Sequence, residues 1–208
     1  MVSERRIARS PIKPVPPVKM MHGWEVSARR SSRALRITDA TPLTKTLVRA
    51  SPDGRVAELF GVPLGHAARN ETGVLVSTAA PGEWWLIGPP QADSSRAIEI
   101  ESVERQELVS LLDLTHERAA VRVTGGTAPK LLEKVCAINL SEQVTPNGAA
   151  LRSSVARVVT DIVRDDSNGE RSYLLHFERS YGQYLFDALL DAGREFSVDV
   201  DGFVPPGI

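Results

Sequence analysis

The sequence predicts an α+β fold built from two similar halves. Strands are indicated by apolar residues that alternate with polar ones, as over 118–124. Helices are indicated by apolar residues at helical spacing next to capping residues, as over 127–136, directly after that strand. In the second half these elements run in the order β-α-β-β-α-β, which is the split βαβ or ferredoxin-like arrangement. The first half fits the same order, so the fold class is that of two pseudo-repeated split βαβ units.

The second half begins with strand 118–124, whose Ala119, Val121 and Val123 share one face. A helix follows from Thr127, a suitable N-cap, with Pro129 in its first turn. After a long connection, two strands joined by a loop rich in turn formers predict a hairpin over 156–164 and 172–178.

Another helix is predicted to start at Ser180, with Gln183 as capping-box partner, and to end at Gly193. The last strand is predicted over 195–200. The inward residues of the helix are taken to be Tyr181, Tyr184, Leu185, Ala188 and Leu189.

The first half has the same kinds of element in a less regular pattern. The segment 92–103 fits either a strand or a poor helix. The remaining predictions are a strand 46–50, a helix 52–60 between Ser51 and Gly61, a hairpin of 73–78 with 83–88, and a strand 108–114.

An N-terminal arm of residues 1–33 precedes this body of 34–208, whose halves are about 34–115 and 116–208. The arm is rich in proline, which favours an extended chain. Residues 1–36 carry a net charge of +7, whereas the protein as a whole carries −1. Such an arm suits a nucleic acid, an acidic protein surface or the body of its own chain. Trp24 is its one large aromatic residue, so we expect no nucleic-acid partner. We expect the arm to become ordered only when it binds a partner.

Composition gives the expected environment. The 208 residues are 42% hydrophobic and 25% charged, values typical of soluble proteins. No apolar run approaches the roughly 18 residues of a membrane span, so we expect no membrane association. Cys136 is the single cysteine, and no apolar region follows Arg5 and Arg6 as a twin-arginine export signal requires. These features predict a cytoplasmic protein.

A candidate for acid/base chemistry lies at the strand junction that contains Asp113, His116 and Arg118. Charged residues commonly mark strand ends, so we favour a structural polar turn. The other histidines, His22, His66 and His176, are too scattered for a zinc site, and no metal is predicted.

Three further motifs have simple structural interpretations. Gly125-Gly126 resembles a phosphate-binding turn but is better explained by close packing of a strand against a helix. The run 165–169 carries potential calcium ligands, yet it lacks the twelve-residue loop and predicts a hairpin turn. Cys136 lies on an apolar helix face, which suits a buried side chain better than a nucleophile. No catalytic or cofactor-binding residue is therefore assigned.

A surface for a partner subunit is predicted instead. Consecutive strand residues point to opposite faces, so Trp84 and Trp85 cannot both enter one core, and the second indole is covered by the other half or by a partner. The connection 137–154 is long enough for an interface, a lid or an irregular loop. The predicted interface residues are Trp84, Trp85, His116, Arg118, Pro146 and Asn147.

Four segments occur in the order found in one protein family: PGEWWL (81–86), DLTH (113–116), the run 121–140 and RSYGQYL (179–185). Together they resemble the gamma subunit of heterotetrameric sarcosine oxidase. The resemblance covers about residues 34–201, and its specificity comes from the order and spacing of short motifs. Gly82 stands where that family usually has Asp.

The resemblance implies a folate-binding, aminomethyltransferase-like fold and a non-catalytic subunit that stabilises the alpha and beta subunits of a complex converting sarcosine to glycine. It implies the alpha subunit as main contact, with beta and delta subunits also present. No cofactor is expected in this chain, whereas FAD and FMN in the beta subunit, NAD in the alpha subunit and tetrahydrofolate at the alpha subunit are implied. The alternative is a stand-alone folate-dependent aminomethyl or one-carbon transferase, with Asp113 among its carboxylates, or a folate-binding regulatory protein.

Overall fold

The computed structural model of the protein describes residues 7–90 and 107–205. These residues form helices α1 (Arg55–Phe60), α2 (Ala128–Glu133) and α3 (Gly182–Gly193) and two short 3₁₀ turns, Arg179–Tyr181 and Arg194–Phe196. The strands of the first part are β1 (Ala8–Arg9), β2 (Val18–Met21), β3 (Trp24–Ser27), β4 (Arg36–Asp39), β5 (Thr44–Arg49), β6 (His66–Arg69), β7 (Leu75–Ala80), β8 (Glu83–Gly88) and β9 (Ser110–Asp113). Those of the second part are β10 (Arg118–Thr124), β11 (Ala150–Val155), β12 (Val158–Arg164), β13 (Ser172–Glu178) and β14 (Asp199–Asp201).

The strands of the second half form a six-stranded sheet, which we call the second sheet, in the order β11-β12-β13-β10-β4-β14. Strands β10, β12, β13 and β14 keep the order of a split βαβ unit. Strand β4 of the first half is inserted between β10 and β14, antiparallel to β10 and parallel to β14. The first half therefore contributes one strand to the sheet of the second half.

The first sheet has the order β6-β7-β8-β5-β9, and its neighbouring strands are all antiparallel. Strands β5, β7, β8 and β9 occupy the same relative places as β10, β12, β13 and β14 in the second sheet. Each sheet has one extra edge strand that follows its first helix, β6 in one half and β11 in the other. The predicted fold class, two pseudo-repeated split βαβ halves, is confirmed.

The elements pack as layers around three apolar clusters. Helix α1 covers the outer face of the first sheet, where Val56 and Phe60 meet Trp84. The inner faces of the two sheets pack on each other, with Trp85 and Leu174 in that cluster. The largest cluster lies between the second sheet and helices α2 and α3. Each sheet therefore has one face buried by helix and the other by the opposite sheet.

The predicted arm is ordered against its own chain. Strands β1, β3 and β2 form a small three-stranded sheet. Its Trp24 and Val26 are 5% and 3% exposed and join the cluster between the sheets, while Ile12 is 1% exposed in the cluster below the second sheet. The expectation that the arm is ordered only by a partner is wrong, because its apolar residues complete the core of this chain.

Two predicted helix starts differ from the structure. Ser51 does not cap α1; the carboxylate of Glu107 accepts the N–H groups of Arg55 and Val56 at 2.9 and 3.3 Å instead. The predicted capping box at Gln183 is also absent, since its Oε1 accepts the backbone N–H of Lys13 at 2.7 Å. At α1 a residue distant in sequence thus replaces the local cap, whereas at α3 the predicted capping side chain binds the arm instead.

The C-terminal elements need further correction. The predicted strand 195–200 is a 3₁₀ turn followed by the short β14. On α3, the inward positions are Leu185, Phe186 and Leu189, whereas Tyr181 and Tyr184 are 45% and 53% exposed. The segment 92–103 lies outside the described residues. No helix of the described residues is long and apolar enough to cross a membrane.

Candidate functional site

A charged centre lies where the two sheets meet, and Arg118 is its hub. Its Nη2 donates to Asp161 Oδ2 at 2.7 Å and to the carbonyl oxygen of His176 at 3.0 Å, and lies 3.1 Å from His176 Nδ1. Its guanidinium carbon lies 5.0 Å from the centroid of the Trp85 ring. Arg118, Asp161 and His176 come from three adjacent strands of the second sheet, and Trp85 from the first sheet.

Asp161 connects this hub to the first half of the chain. It also accepts from Arg152 Nε at 2.7 Å, and Arg152 Nη2 donates to Glu83 at 3.1 Å. Glu83, on β8, is paired in addition with Arg49 at 2.9 Å. The side chain of Asp161 is 5% exposed, so its charge is compensated inside the protein rather than by water. This network holds the two halves together.

His176 is closed off within the centre. It is 0% exposed, and its ring lies edge-on to Trp85 with 4.7 Å between centroids. Burial, assisted by the nearby charges of Arg118, Lys45 and Arg152, holds its pKa well below 6.5. The imidazole is therefore neutral, and it has no access to a substrate. General acid/base catalysis needs both access and a pKa near the working pH.

The junction of Asp113, Thr115 and His116 is the polar turn that the sequence predicts. Asp113 Oδ1 accepts the N–H of Thr115 at 2.9 Å, and Thr115 Oγ1 accepts that of Lys45 at 3.0 Å. Partial burial raises the pKa of Asp113, but the hydrogen bonds from Thr115 and the charges of His116 and Lys45 outweigh it, so the pKa is lowered. The exposed His116 stacks on Trp24 of the arm, with centroids 5.0 Å apart.

Lys45 is a second buried charge beneath this junction. It is 0% exposed, and its Nζ donates to the carbonyl oxygens of Thr41 and Leu43 at 2.8 and 2.5 Å. Burial lowers its pKa to about 7, against the opposing charges of Asp39 and Asp113. Its amine is enclosed by backbone, so it has no path to a reactant.

The remaining candidate motifs have structural roles. Gly125 has a φ of +135°, and a β-carbon there would collide with the carbonyl group of Ala34, so the glycine serves close packing as predicted. Its partner is the segment directly before β4, and the helix predicted in that place is wrong. Asp165 pairs with Arg69 and Arg122 beside a hairpin turn, and Cys136 is buried. No group of three or more potential metal ligands occurs within 7–90 and 107–205.

The six residues predicted for the partner interface do not form one surface. Trp84 and Trp85 are 3% and 4% exposed and lie inside this chain, so their assignment to an interface is wrong. The second indole, that of Trp85, is covered by the other half of the chain, which was one of the two predicted covers. Arg118 is turned inward as well, toward Asp161.

The exposed three, His116, Pro146 and Asn147, divide between the two ends of β10. His116 precedes the strand, whereas Asn147 accepts the N–H of Asp166 near its far end. A seven-residue strand separates them by about 20 Å. They remain predicted contact residues at two separate places on the surface.

Sequence reasoning missed Asp161, Arg152 and Lys45. One signal for Asp161 was present, because an acidic residue at a core position of the strand 158–164 requires a buried partner. The identity of that partner depends on strand register, which the sequence does not reveal.

A polar cavity of about 290 Å³ lies at the end of β10 that Arg122 occupies. Arg36, Arg69 and Arg122 line it together with Asp165 and Glu170. Arg36 pairs with Glu170, and Arg69 and Arg122 share Asp165. Asp201 also lines the cavity, so three carboxylates balance the three arginines and leave no net positive charge for an anion.

This fold, with its charged centre closed between two split βαβ sheets, belongs to a known class of protein. Residues 52–203 match the GCVT N-terminal domain family, and the chain belongs to that family.

Among curated proteins, the chain is 25% identical over 206 residues to sarcosine oxidase subunit gamma of Corynebacterium sp. (strain P-1), and the match spans 95% of both chains. It is 29% identical over 126 residues to the human mitochondrial dimethylglycine dehydrogenase, a match of 60% of this chain but only 14% of that protein. The resemblance predicted from the four motifs is confirmed.

Two solved structures share the fold. The heterotetrameric sarcosine oxidase from Corynebacterium sp. U-96, in complex with pyrrole 2-carboxylate, matches with a TM-score of 0.68 and 22% identity over 81% of this chain and 88% of that one. The glycine cleavage system aminomethyltransferase T from Bartonella henselae matches with 0.67 and 13% identity over 94% of this chain and 60% of that one.

Proposed function

We propose that this chain is the non-catalytic gamma subunit of a heterotetrameric, flavin-dependent complex that oxidatively demethylates sarcosine to glycine. One observation carries the proposal: the similarity to a sarcosine oxidase gamma subunit runs along 95% of both chains. The charged centre supports it, because Asp161 is compensated by Arg118 and Arg152 in a closed space, beside the neutral His176. Such a centre stabilises a scaffold and offers no reacting group to a substrate.

In this proposal the large subunits carry the chemistry. The alpha subunit is the main contact, beta and delta subunits complete the complex, and FAD, FMN, NAD and tetrahydrofolate belong to those partners. The complex is cytoplasmic. The exposed His116, Pro146 and Asn147 are proposed to face partner subunits.

Co-expression with the alpha, beta and delta chains tests this proposal. Native mass spectrometry should give one complex that contains this chain in a 1:1 ratio with the others, and omission of this chain should lower the yield or thermal stability of active oxidase. The isolated chain should not convert sarcosine. An oxidase that assembles and works fully while this chain remains a separate monomer would contradict the assignment.

A stand-alone folate-dependent transferase or folate-binding regulator is the second candidate, and the shared fold with aminomethyltransferase T favours it. The polar cavity fits it poorly. At about 290 Å³ it lies at the lower limit of small-molecule pockets, about 300–1,000 Å³, and its arginines are already paired. Titration of the isolated chain with tetrahydrofolate separates the two functions, since saturable binding would favour the second candidate.

A further inference from the structure

A groove of about 490 Å³ lies beside the C-terminal end of α1, next to the turn between β7 and β8. It is separate from the charged centre, which lies on the other face of the first sheet. Rigid, apolar side chains dominate its lining. Those that matter here are Pro52, Asp53, Pro63, Leu64, Pro81 and Trp84.

Trp84 provides the first sign of a missing ligand. Its side chain is 3% exposed and packs against Phe60, with 5.9 Å between ring centroids. Its indole Nε1 is buried and has no hydrogen-bond acceptor among the described residues. A buried donor without an acceptor is unfavourable, so an occupant that displaces the groove lining over Trp84 gains by offering this nitrogen a carbonyl oxygen.

Charge gives the second sign. Among the residues that the structure describes, Asp53 is the one charged residue that lines the groove, and it is exposed and forms no ion pair with any of them. Leu64, at 55% exposure, adds an uncovered apolar side chain. The complementary ligand is therefore apolar with a basic group at one end.

We propose that this groove binds an extended, proline-containing segment of a partner protein that carries Lys or Arg beside its prolines. A polyproline II segment has no internal hydrogen bonds, so its carbonyl oxygens are free to accept from Trp84 Nε1. Its rings pack on the exposed apolar lining of the groove, and it loses little conformational entropy on binding. That lining comprises Pro52, Pro63, Leu64 and Pro81. Asp53 then pairs with its basic residue.

Other occupants satisfy these groups less well. An α-helix uses its carbonyl oxygens internally except in the last turn, so it offers Trp84 an acceptor only at its C-terminal end. An added β-strand needs a row of free backbone donors and acceptors, whereas this groove is lined by side chains and supplies one donor. The extended proline-rich chain matches the donor of Trp84, the charge of Asp53 and the apolar lining of the groove.

The test uses the full chain and three synthetic peptides with blocked ends: APPLPPRA, its acidic counterpart APPLPPEA, and the flexible AGGLGGRA. Indole N–H signals are followed by ¹H–¹⁵N NMR, and the Trp84 signal is identified by its loss in Trp84→Phe. We expect APPLPPRA to move this signal saturably and to bind at least about 5-fold more tightly than either control. The signals of Trp24 and Trp85 should stay in place.

Two variants separate the contributions. Trp84→Phe keeps a ring but removes the donor and the signal that reports binding, so its affinity is measured by isothermal titration calorimetry beside that of the wild-type chain. It should bind APPLPPRA about 2- to 10-fold more weakly. Asp53→Asn lies on the surface, so the fold is retained; it should weaken APPLPPRA about 2- to 5-fold and abolish the preference over APPLPPEA. Salt should weaken binding to the wild-type chain and have little effect on Asp53→Asn.

Several results would overturn the proposal. They are no movement of the Trp84 signal at millimolar APPLPPRA, equal affinity for all three peptides, or unchanged affinity in both variants. Movement of the Trp84 signal with protein concentration alone would assign the groove to a second copy of this chain and would also overturn it. None of these outcomes depends on whether the chain is an oxidase subunit.

Discussion

The ring of Trp85, from the first half of the chain, lies edge-on to that of His176, from the second half, with 4.7 Å between their centroids. The contact is covered by the guanidinium of Arg118. It is therefore the point where an aromatic pair and an ion network meet to hold the two sheets together. This arrangement predicts that the two halves unfold as one unit.

Trp85→Ala should lower the free energy of unfolding by about 3–5 kcal/mol, because it removes a buried indole and leaves a cavity between the sheets. Chemical denaturation followed by circular dichroism measures this change. Leu108→Ala is the control, since Leu108 is 93% exposed and its removal should change stability by less than about 0.5 kcal/mol. Equal effects of the two substitutions would contradict the burial of Trp85 in the core.

Asp161→Asn should cost about 3–5 kcal/mol, because it leaves Arg118 and Arg152 without their shared counter-charge in a largely closed site. The matched control is Asp191→Asn. Asp191 is 70% exposed and pairs only with the exposed Arg194, so the control should cost less than about 1 kcal/mol. If both variants unfold at the same denaturant concentration, the network contributes no more than a surface pair.

Stability should rise with pH above neutrality because of Lys45. Its pKa is about 7 in the folded chain and near 10.5 when unfolded, so between these values the unfolded chain binds more protons. Proton binding therefore favours the unfolded chain, and raising the pH weakens this effect. The free energy of unfolding should rise by up to about 1.4 kcal/mol per pH unit.

Unfolding titrations from pH 7 to 9.5 measure this slope. Lys45→Met should abolish most of it, whereas Lys130→Met, at an exposed position on α2, should retain it. A wild-type slope equal to that of Lys45→Met would show that Lys45 does not titrate in this range.

The sequence predicts those elements whose cause is local. The hairpin that contains Trp84 follows from alternation and turn residues, and the helix end at Gly61 follows from its left-handed conformation, with φ 60°. The repeated split βαβ order is also recoverable, because the predicted strands and helices follow one another in the β-α-β-β-α-β order that defines this arrangement.

Features that depend on distant partners were not predictable. Strand β4 carries no signal that it leaves its own half, since its pairing with β10 depends on register over some eighty residues. The burial of Ile12 and Trp24 was hidden by the surrounding prolines and basic residues, which resemble a disordered arm. The charged centre was not foreseen either, because its residues come from separate strands whose register the sequence does not reveal. Arg118 and His176 were considered only individually.

Gly182, the first residue of α3, gives a test of how the arm is attached. A β-carbon at this position would lie within 2.7 Å of Pro11 Cβ, so the glycine allows the arm to pack on the helix. Elsewhere in a helix, replacing Gly by Ala stabilises by about 0.5–1 kcal/mol. Here Gly182→Ala should destabilise the chain and displace the arm, because Pro11 must move and Ile12 leaves the core with it. Limited trypsin digestion should therefore cut after Lys19 at least several-fold faster than in the wild-type chain.

The control is Gly126→Ala, since nothing lies within 4 Å of a β-carbon at Gly126 and its φ is not positive. This variant should be digested at the wild-type rate. Trp24 reports the same event independently, because release of the arm withdraws its ring from His116 and changes its fluorescence. If Gly182→Ala is as resistant as Gly126→Ala and its fluorescence is unchanged, the arm tolerates the added methyl group and its position does not depend on this glycine.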